Sequence, residues 1–331
     1  MKTITLSSGK TFNIESRVSI LEAAERHAIS LPYSCKTGRC STCKCKVIAG
    51  ETEALHEEVG LSPSEKADGW ILSCVRTAVT DVSLDVEDLG GVVLPEAKTL
   101  PCRINSIDKL APDVLRVVLR LPPTADFSFI PGQYIDVIGP GGVRRSYSLA
   151  NASFADKQLE LHIRAVHGGA MSQYWFEQAK ANDLLRLNGP LGTFFLRDVA
   201  GLDLVFLATG TGIAPVKAML ESMQGLDAEK QPCSVTLFWG GRTPQDLYFD
   251  VAGIAGAFNF VPVLSRADAQ WTGARGHVQQ ALLSVLPDLS QAAVYACGSD
   301  AMIRDAQTTL TAAGLPNNRF YSDAFVCSAA N

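Results

Sequence analysis

The sequence lacks several features that would assign a function class directly. It has no basic excess, because 29 lysines and arginines stand against 34 acidic residues and the net charge is −5. Nucleic acid is therefore a poor candidate partner. Apolar runs such as LVFLAT are far shorter than the roughly 20 residues that span a bilayer, and the opening MKTITLSSGKTFNIE lacks the apolar core of a signal peptide. We expect a cytoplasmic protein that binds neither nucleic acid nor membrane.

Histidine is also scarce, whereas cysteine is not. None of the five histidines has metal-ligand spacing, but four of the nine cysteines fall within the stretch YSCKTGRCSTCKCKV, Tyr33 to Val47. An odd number of cysteines cannot be fully paired within one chain, and disulfides are rare in a reducing compartment. Metal-bound or free thiols are therefore expected.

The spacing of these cysteines favours an iron–sulfur cluster. Cys35, Cys40 and Cys43 follow the pattern C-x4-C-x2-C, and Cys74 lies further along the chain, as in plant-type 2Fe–2S ligation. Zinc is an alternative, although structural zinc usually takes two paired knuckles; unliganded thiols are another. Cys45 is interpreted as a small buried hydrophobic residue. Cys102, Cys233 and Cys327 are isolated and are assigned no chemistry.

Local patterns predict a multidomain protein. Residues 1–90 have short alternating segments, a capped helix, the cysteine loop and a second capped helix, which indicates a small α+β ferredoxin-like (β-grasp) domain. Residues 91–100 form a linker rich in glycine and proline. Residues 101–199 contain strand-length runs broken by proline and glycine, as in an antiparallel β-barrel. Residues 200–331 alternate strand and helix, as in a doubly wound α/β domain with a parallel sheet.

Two motifs in the predicted barrel suggest a flavin. In RRSYSLAN, Arg145 and Tyr147 are two positions apart and share one face of a strand, where a cation could hold a phosphate and an aromatic ring could cover a flavin. In HGGAMSQYW, a glycine pair leads into a helix whose N-terminus suits a pyrophosphate. Alone, each motif is equally consistent with an ordinary strand or turn; their order across one barrel favours the flavin.

Two further motifs suggest a nucleotide site on the parallel sheet. LATGTGIAPVKAML places a glycine-rich turn between strand and helix, where the backbone can approach a phosphate closely. It departs from the Rossmann fingerprint because Pro215 replaces the third glycine. YACGS ends a later strand at the same predicted sheet edge, although Cys297 could equally fill the core.

The order of these motifs, with GPLGTFF and a terminal SDAFV, resembles the ferredoxin–NAD(P)H reductase superfamily with an N-terminal plant-type 2Fe–2S domain. The resemblance covers essentially the whole chain and implies FAD in the barrel and NADH, or alternatively NADPH, on the parallel sheet. It further implies that Arg145 binds FAD phosphate, Tyr147 packs on the isoalloxazine and Ser148 lies near its reactive nitrogen. Phe325 would cover the flavin face that the nicotinamide must reach. Many relatives carry glutamate where this chain has Asp323, which puts a proton-relay role of that carboxylate in doubt.

The resemblance implies a larger set of site residues. Catalytic roles fall to Ser148, Cys297 and Phe325, and cluster ligation falls to Cys35, Cys40, Cys43 and Cys74. The remaining cofactor-binding positions are Ser146, His162, Ile163, Arg164, Gly169, Ala170, Met171, Ser172, Gly210, Thr211, Gly212, Pro215, Arg242 and Gly298. Arg242 and Arg266 are the residues that could meet a 2′-phosphate, but NADH is favoured over NADPH.

Electron counting gives the predicted activity. A reduced nicotinamide delivers two electrons as a hydride, the cluster accepts one at a time, and a flavin can do both. Segments such as LPYSCKTGRCSTCK and FYSDAFV are most similar to CDP-6-deoxy-3,4-glucoseen reductases, which implies a PMP-dependent sugar dehydratase as electron acceptor. Reductases of aromatic-ring dioxygenases and diiron monooxygenases are the nearest alternative. A flavin or quinone reductase, or a carrier without catalysis, also remains open.

The cysteine loop also predicts a docking surface. Lys36, Arg39, Lys44 and Lys46 lie within or beside it, so we expect a cationic rim that attracts an acidic partner at low ionic strength.

Overall fold

The structure, a computed structural model, describes residues 1–152, 154–254 and 256–325. It divides into two compact units. Unit 1 contains residues 1–94, 192–194 and the chain from Asp323 onward, and unit 2 contains residues 95–191 and 195–322. Val326, the last residue of the FYSDAFV motif, and Cys327 lie outside the described residues.

Unit 1 is an α+β fold on a mixed five-stranded sheet. Its strands are β1 (Lys2–Leu6), β2 (Thr11–Ile14), β3 (Lys44–Ala49), β4 (Thr52–Ala54), β5 (Trp70–Leu72), β6 (Arg76–Ala78) and β7 (Val82–Asp85), and its helices are α1 (Ile20–Arg26) and α2 (Pro63–Ala67). The sheet order is β2-β1-β7-β3-β5, and β4 pairs separately with β6. Strands β1 and β7 are parallel, whereas the other pairs are antiparallel. This is the predicted β-grasp architecture.

Both helices of unit 1 begin where the sequence predicts. The Ser19 hydroxyl accepts a hydrogen bond from the Glu22 amide at 3.2 Å and caps α1. At α2 the Ser62 hydroxyl accepts from the Glu65 amide, and the Glu65 carboxylate accepts from the Ser62 amide at 2.7 Å. This reciprocal capping satisfies amides that have no partner within the helix, so a five-residue helix can form.

The first part of unit 2 is a closed antiparallel barrel. Its strands are β8 (Lys98–Ala111), β9 (Val114–Arg120), β10 (Tyr134–Ile138), β11 (Arg144–Ser148), β12 (Gln158–Arg164) and β13 (Leu184–Leu191). Helix α3 (Ala170–Gln173) and a π-helical turn (Tyr174–Gln178) lie between β12 and β13 in the chain. The order is β11-β10-β13-β8-β9-β12. An antiparallel bridge from Leu149 to Leu161 joins the two ends, so the sheet has no open edge there.

The second part of unit 2 is a six-stranded sheet with helices. Its strands are β14 (Asp203–Thr209), β15 (Ser234–Gly241), β16 (Asn259–Leu264), β17 (Ala274–Arg275), β18 (Ala292–Ser299) and β19 (Phe320–Phe325), and its helices are α4 (Ile213–Ser222), α5 (Val278–Val285) and α6 (Asp300–Ala312). Residues 320–322 of β19 belong to unit 2, and residues 323–325 belong to unit 1. The order is β17-β16-β15-β14-β18-β19. Strands β14 to β18 are all parallel to one another. The chain moves outward from β14 to β17 and returns to β18 on the other side of β14, which places a topological switch point between β14 and β18.

The predicted fold class is therefore confirmed in all three parts. Because unit 2 holds both the barrel and the parallel sheet, the predicted boundary between residues 199 and 200 stays a prediction. Within the described residues, no helix has the length and apolar character needed to cross a bilayer.

Candidate functional site

The four predicted cluster ligands form two pairs in unit 1. The Sγ atoms of Cys43 and Cys74 lie 3.2 Å apart. The Cys40 Sγ accepts a hydrogen bond from the Cys35 amide at 3.4 Å, and the two side chains are also hydrogen-bonded. Among the described residues, no three histidine, cysteine or acidic side chains are grouped to hold a single metal ion. Two thiol pairs suit a cluster in which two irons share four cysteines better than one tetrahedral zinc.

Each pair contains one thiol that loses its proton readily. A hydrogen bond from the Cys40 thiol lowers the pKa of Cys35 to about 4, although burial opposes this shift. A hydrogen bond from Cys43 likewise lowers the pKa of Cys74. The pKa values of Cys40 and Cys43 are raised because these thiols donate to their partners and are buried. The thiolate is the form that binds metal. Each pair therefore contains one cysteine whose lowered pKa favours that form.

The cysteine loop folds sharply around these thiols. Lys36, Gly38 and Ser41 have φ values of 55°, 73° and 61°, in the left-handed region that favours glycine. A Cβ at Gly38 would lie 2.6 Å from the Glu57 carbonyl oxygen. The Gly60 amide donates to the Gly38 carbonyl at 2.8 Å, so this position needs both the turn and the close approach.

Cys45 lies apart from the two pairs. It is 1% exposed and belongs to the hydrophobic core of unit 1. In the sheet it pairs with Ile71, and burial raises its pKa to about 12. This environment is that of the buried hydrophobic residue predicted from the sequence.

The loop carries less uncompensated positive charge than the sequence suggests. Lys36 forms an ion pair with Glu25 at 2.7 Å, and Lys44 forms one with Glu65 at 3.0 Å. Lys44 also lies over the Trp70 ring, 5.0 Å from its centroid. Two of the four predicted docking cations are therefore neutralised within the chain, and the expected salt dependence of docking is correspondingly weaker.

The predicted FAD strand has the expected alternation. In β11, Arg145 and Tyr147 are half-buried on one face, while Ser146 points the other way and donates to Asp136 at 2.6 Å. The Tyr147 hydroxyl accepts a hydrogen bond from Trp175 Nε1 at 2.9 Å, and burial raises the pKa of Tyr147 to about 12. Tyr147 is thus a fixed, neutral aromatic ring, and the Ser146 hydroxyl proton is already donated to Asp136. Ser148, at the end of β11, is buried.

A short helix follows the glycine pair of HGGAMSQYW, as the motif predicts. Gly169 is the N-cap of α3, which begins at Ala170. The Ser172 hydroxyl accepts a hydrogen bond from the Val166 amide at 2.9 Å, and the Met171 side chain is buried in the barrel core. This turn therefore offers a ligand mainly backbone groups.

The side chains of His162, Ile163 and Arg164 already contact other parts of the protein. His162 Nδ1 lies 2.9 Å from the Tyr248 hydroxyl and its Nε2 lies 3.0 Å from Glu160. Ile163 is in the barrel core. Arg164 forms ion pairs with Asp113 at 3.3 Å and Asp246 at 3.5 Å. A contact from His162 or Ile163 to FAD would therefore come from the main chain.

The two predicted nucleotide motifs meet at the switch point. Residues Gly210–Gly212 form a 3₁₀ turn between β14 and α4, and Pro215 lies in the first turn of α4. A Cβ at Gly212 would lie 2.2 Å from the Cys297 carbonyl oxygen, and one at Gly298 would lie 2.1 Å from Thr209 Oγ1. The two segments thus pack backbone against backbone, leaving the amides of the turn and the N-terminus of a ten-residue helix at the carboxyl edge of the sheet.

Three other predicted residues have distinct environments. Cys297 is fully buried, and its main-chain carbonyl faces the Gly212 turn. Arg242 and Arg266 are exposed neighbours at the carboxyl ends of β15 and β16, and the Arg266 amide donates to the Arg242 carbonyl at 2.8 Å. Phe325 is 40% exposed at the end of β19, and its predicted role as a flavin cover stays a prediction.

Asp323 lies beside the cysteine loop within unit 1. It is 5% exposed and accepts a hydrogen bond from the Ser34 hydroxyl at 2.7 Å. Burial raises its pKa to about 6. Ser34, which precedes the predicted ligand Cys35, is thereby hydrogen-bonded to the C-terminal segment that carries Phe325.

Unit 2 contains a buried ionic network that was not predicted from the sequence. Glu160 contacts His162, Arg116 at 3.1 Å and Lys217 at 3.4 Å. Lys217 also pairs with Glu221 at 2.7 Å and donates to the Ala150 carbonyl at 2.9 Å. Lys217 thereby joins helix α4 to Ala150, two residues after the end of β11. The alternation of Glu160 and His162 in β12 and the i,i+4 spacing of Lys217 and Glu221 were signals of this network.

This network predicts acid sensitivity. Burial alone would raise the pKa of Glu160, but the His162 hydrogen bond and nearby cations lower it to about 2; burial lowers the pKa of His162 below 6.5. For both groups the unfolded state binds more protons, so stability should fall as the pH drops below about 6.5 and again below about 4.5. Glu160→Gln should lower the free energy of unfolding at pH 7 by about 2 to 3 kcal/mol.

Denaturant unfolding of unit 2 at a series of pH values would measure this effect. The difference between wild type and Glu160→Gln should shrink between pH 4.5 and 2, while the loss near pH 6.5 remains. Glu229→Gln, at an exposed site in a 3₁₀ turn, is the matched control and should follow the wild-type curve. A constant difference across the acid range would contradict the assignment to Glu160.

Comparisons with known proteins agree with this geometry. Three family models match in sequence: a 2Fe-2S iron-sulfur cluster binding domain over residues 4–79, an oxidoreductase FAD-binding domain over 101–196 and an oxidoreductase NAD-binding domain over 206–308. The chain therefore has the domains that bind a 2Fe–2S cluster, FAD and a nicotinamide nucleotide.

Whole-length relatives show the same arrangement. The chain is 42% identical to CDP-6-deoxy-L-threo-D-glycero-4-hexulose-3-dehydrase reductase of Yersinia pestis, over 97% of each chain. It is 32% identical to the xylene/toluene monooxygenase electron transfer component of Pseudomonas putida, covering 96% of this chain and 91% of that one. The crystal structure of an Amycolatopsis cytochrome P450 reductase matches with a TM-score of 0.73 and 30% identity, over 98% of this chain and 99% of the other. The chain belongs to the ferredoxin–NAD(P)H reductase superfamily, in the group of iron–sulfur flavoprotein reductases with an N-terminal plant-type 2Fe–2S domain.

Proposed function

We propose that this reductase supplies electrons to a PMP-dependent dehydratase that acts on a CDP-linked 4-keto-6-deoxyhexose. The observation that carries the proposal is the 42% identity to the Yersinia dehydrase reductase over nearly the whole of both chains. Identity to the Pseudomonas oxygenase component is 32%. An aromatic-ring dioxygenase or a diiron monooxygenase is therefore the second candidate acceptor.

Different parts of the chain would bind FAD and the nicotinamide nucleotide. FAD, when bound, converts the two-electron hydride of the nicotinamide into single electrons for the cluster. The turn at Gly210 to Gly212 would hold the nucleotide phosphates, and Arg145 with the Gly169 turn would hold those of FAD. Tyr147, fixed by Trp175, would orient the flavin ring. No general acid or base is needed for hydride transfer, so these residues act by position and by exclusion of water.

We propose NADH as the electron donor, as the resemblance implies. The exposed residues Arg242 and Arg266, which are joined by a main-chain hydrogen bond, make NADPH the alternative, because a guanidinium group can bind a 2′-phosphate. The ratio of kcat/KM for the two nucleotides, measured with ferricyanide as acceptor, distinguishes them. A ratio in favour of NADPH would reject NADH as the preferred donor.

Reconstitution tests the acceptor. NADH, this protein and a PMP-dependent dehydratase with its CDP-hexulose substrate should give deoxysugar product, and omission of the reductase should abolish turnover. The matched reaction contains a ring-hydroxylating oxygenase and its aromatic substrate in place of the dehydratase. Product with the oxygenase alone would reject the dideoxysugar assignment and leave the electron-transfer activity intact.

A further inference from the structure

One buried carboxylate supports the segment that carries Cys74. Glu58 is 5% exposed, and its Oε1 accepts a hydrogen bond from the Leu72 amide at 2.9 Å. On the other side, the Ser73 amide donates to the Cys43 carbonyl at 3.1 Å. The main chain just before Cys74 is therefore held by Glu58 and by another predicted ligand.

The same carboxylate faces a cation beyond Cys74. Glu58 Oε2 lies 3.7 Å from Arg76 Nη1, and the side chains of Glu58 and Arg76 are 4% and 23% exposed. A glutamine could accept the Leu72 hydrogen bond equally well without the cost of burying a charge. Hydrogen bonding alone therefore does not account for an acidic residue at this position.

The surroundings of Cys74 are poor in compensating partners. Of the five buried side-chain polar atoms without a hydrogen-bond partner among the described residues, three lie on this segment: Ser73 Oγ, Arg76 Nε and Thr77 Oγ1. Glu58 is thus a buried charge and Arg76 a partly exposed one, in surroundings that offer them few other hydrogen bonds. In such an environment the field of one charge extends further than it does in water.

We propose that Glu58 and Arg76 set the reduction potential of the 2Fe–2S cluster, as positioning residues that act through the Cys74 segment and through their charges. Reduction adds one electron to an already anionic cluster. The Glu58 carboxylate disfavours that added charge and lowers the potential, whereas the Arg76 guanidinium favours it and raises the potential. The proposal rests on Cys74 as a ligand, which is tested separately by its replacement.

Opposite shifts in potential test this proposal. The potential of the holoprotein is measured by anaerobic titration, with the EPR signal of the reduced cluster as readout. Glu58→Gln should shift the one-electron equilibrium about tenfold toward the reduced cluster, about 59 mV more positive. Arg76→Gln should shift it by a similar factor toward the oxidised cluster. The double variant should return close to the wild-type value.

Two controls separate charge from structure. Glu57→Gln changes the exposed neighbour of Glu58 and should leave the potential unchanged, as should Arg76→Lys, which retains the charge. A purely structural role predicts less stable variants without shifts of opposite sign. Shifts of the same sign, or none, in variants with an intact cluster would overturn the proposal.

Loss of the cluster from individual variants also has a defined meaning. If only Glu58→Gln fails to hold the cluster, the proposal is tested by the potentials of the two Arg76 variants. A shift toward the oxidised cluster in Arg76→Gln but not in Arg76→Lys would support it, and equal potentials would overturn it. Failure of all variants at both positions, with Glu57→Gln unaffected, would assign the pair to folding of the loop and overturn its role in the potential.

Discussion

Replacing Cys74 by serine should abolish the absorbance and the EPR signal of the 2Fe–2S cluster. Cys74 and Cys43 form one of the two thiol pairs, with Sγ atoms 3.2 Å apart, so the variant leaves one iron with a single thiolate. Iron analysis should fall from two atoms per chain to nearly none. FAD content should be unchanged, and NADH oxidation with ferricyanide should persist because that acceptor can take electrons directly from the flavin.

Cys45→Ser is the matched control for the loss of a buried thiol. Cys45 lies in the core of unit 1, opposite Ile71, so the variant should keep both the cluster spectrum and its iron. A cluster that survives in Cys74→Ser but disappears in Cys45→Ser would mean that the loop binds the cluster differently. Stoichiometric zinc in place of iron, in protein prepared without oxygen, would reject the cluster assignment itself.

Gly212→Ala should lower the rate of NADH oxidation about a hundredfold or more. The added Cβ would lie 2.2 Å from the Cys297 carbonyl oxygen and 2.6 Å from its carbonyl carbon, so the turn must move away from β18. A displacement of about 1 Å is enough for an effect of this size on a reaction that depends on alignment. Stopped-flow reduction of the bound flavin by NADH measures the step directly.

Gly225→Ala provides the control for this prediction. Gly225 ends the 3₁₀ turn after α4, and no atom lies within 4 Å of its added Cβ. This variant should react at the wild-type rate. In Gly212→Ala, FAD content and photochemical reduction of the cluster should be retained. Wild-type flavin reduction by NADH in Gly212→Ala would show that the turn does not position the nucleotide.

Much of the fold could be predicted because its signals are local. The Ser62 and Glu65 capping pair defines α2 within four residues, and the side chains of β11 alternate as the motif RRSYSLAN predicts. The spacing of Cys35, Cys40 and Cys43 likewise identifies the cluster loop. In each case, neighbours in sequence are also neighbours in space.

The parts that escaped prediction depend on distant partners. The pairing of Lys36 with Glu25 joins the loop to α1 and removes a predicted docking charge. Glu58 stands beside Glu57 in the sequence with nothing to set it apart, yet it is buried and accepts a hydrogen bond from the Leu72 amide. The contact of Glu160 with Lys217 joins a barrel strand to α4. No spacing rule connects residues that meet only after the chain has folded.

The close thiol pair also has a consequence for assembly of the holoprotein. With Cys43 and Cys74 Sγ atoms 3.2 Å apart, dioxygen or another thiol oxidant could join them in a disulfide before iron and sulfide are inserted. That bond would remove two of the four predicted ligands, and a thiol reductant would be needed to restore them. We therefore expect apoprotein exposed to oxygen to take up iron and sulfide only after treatment with a thiol reductant.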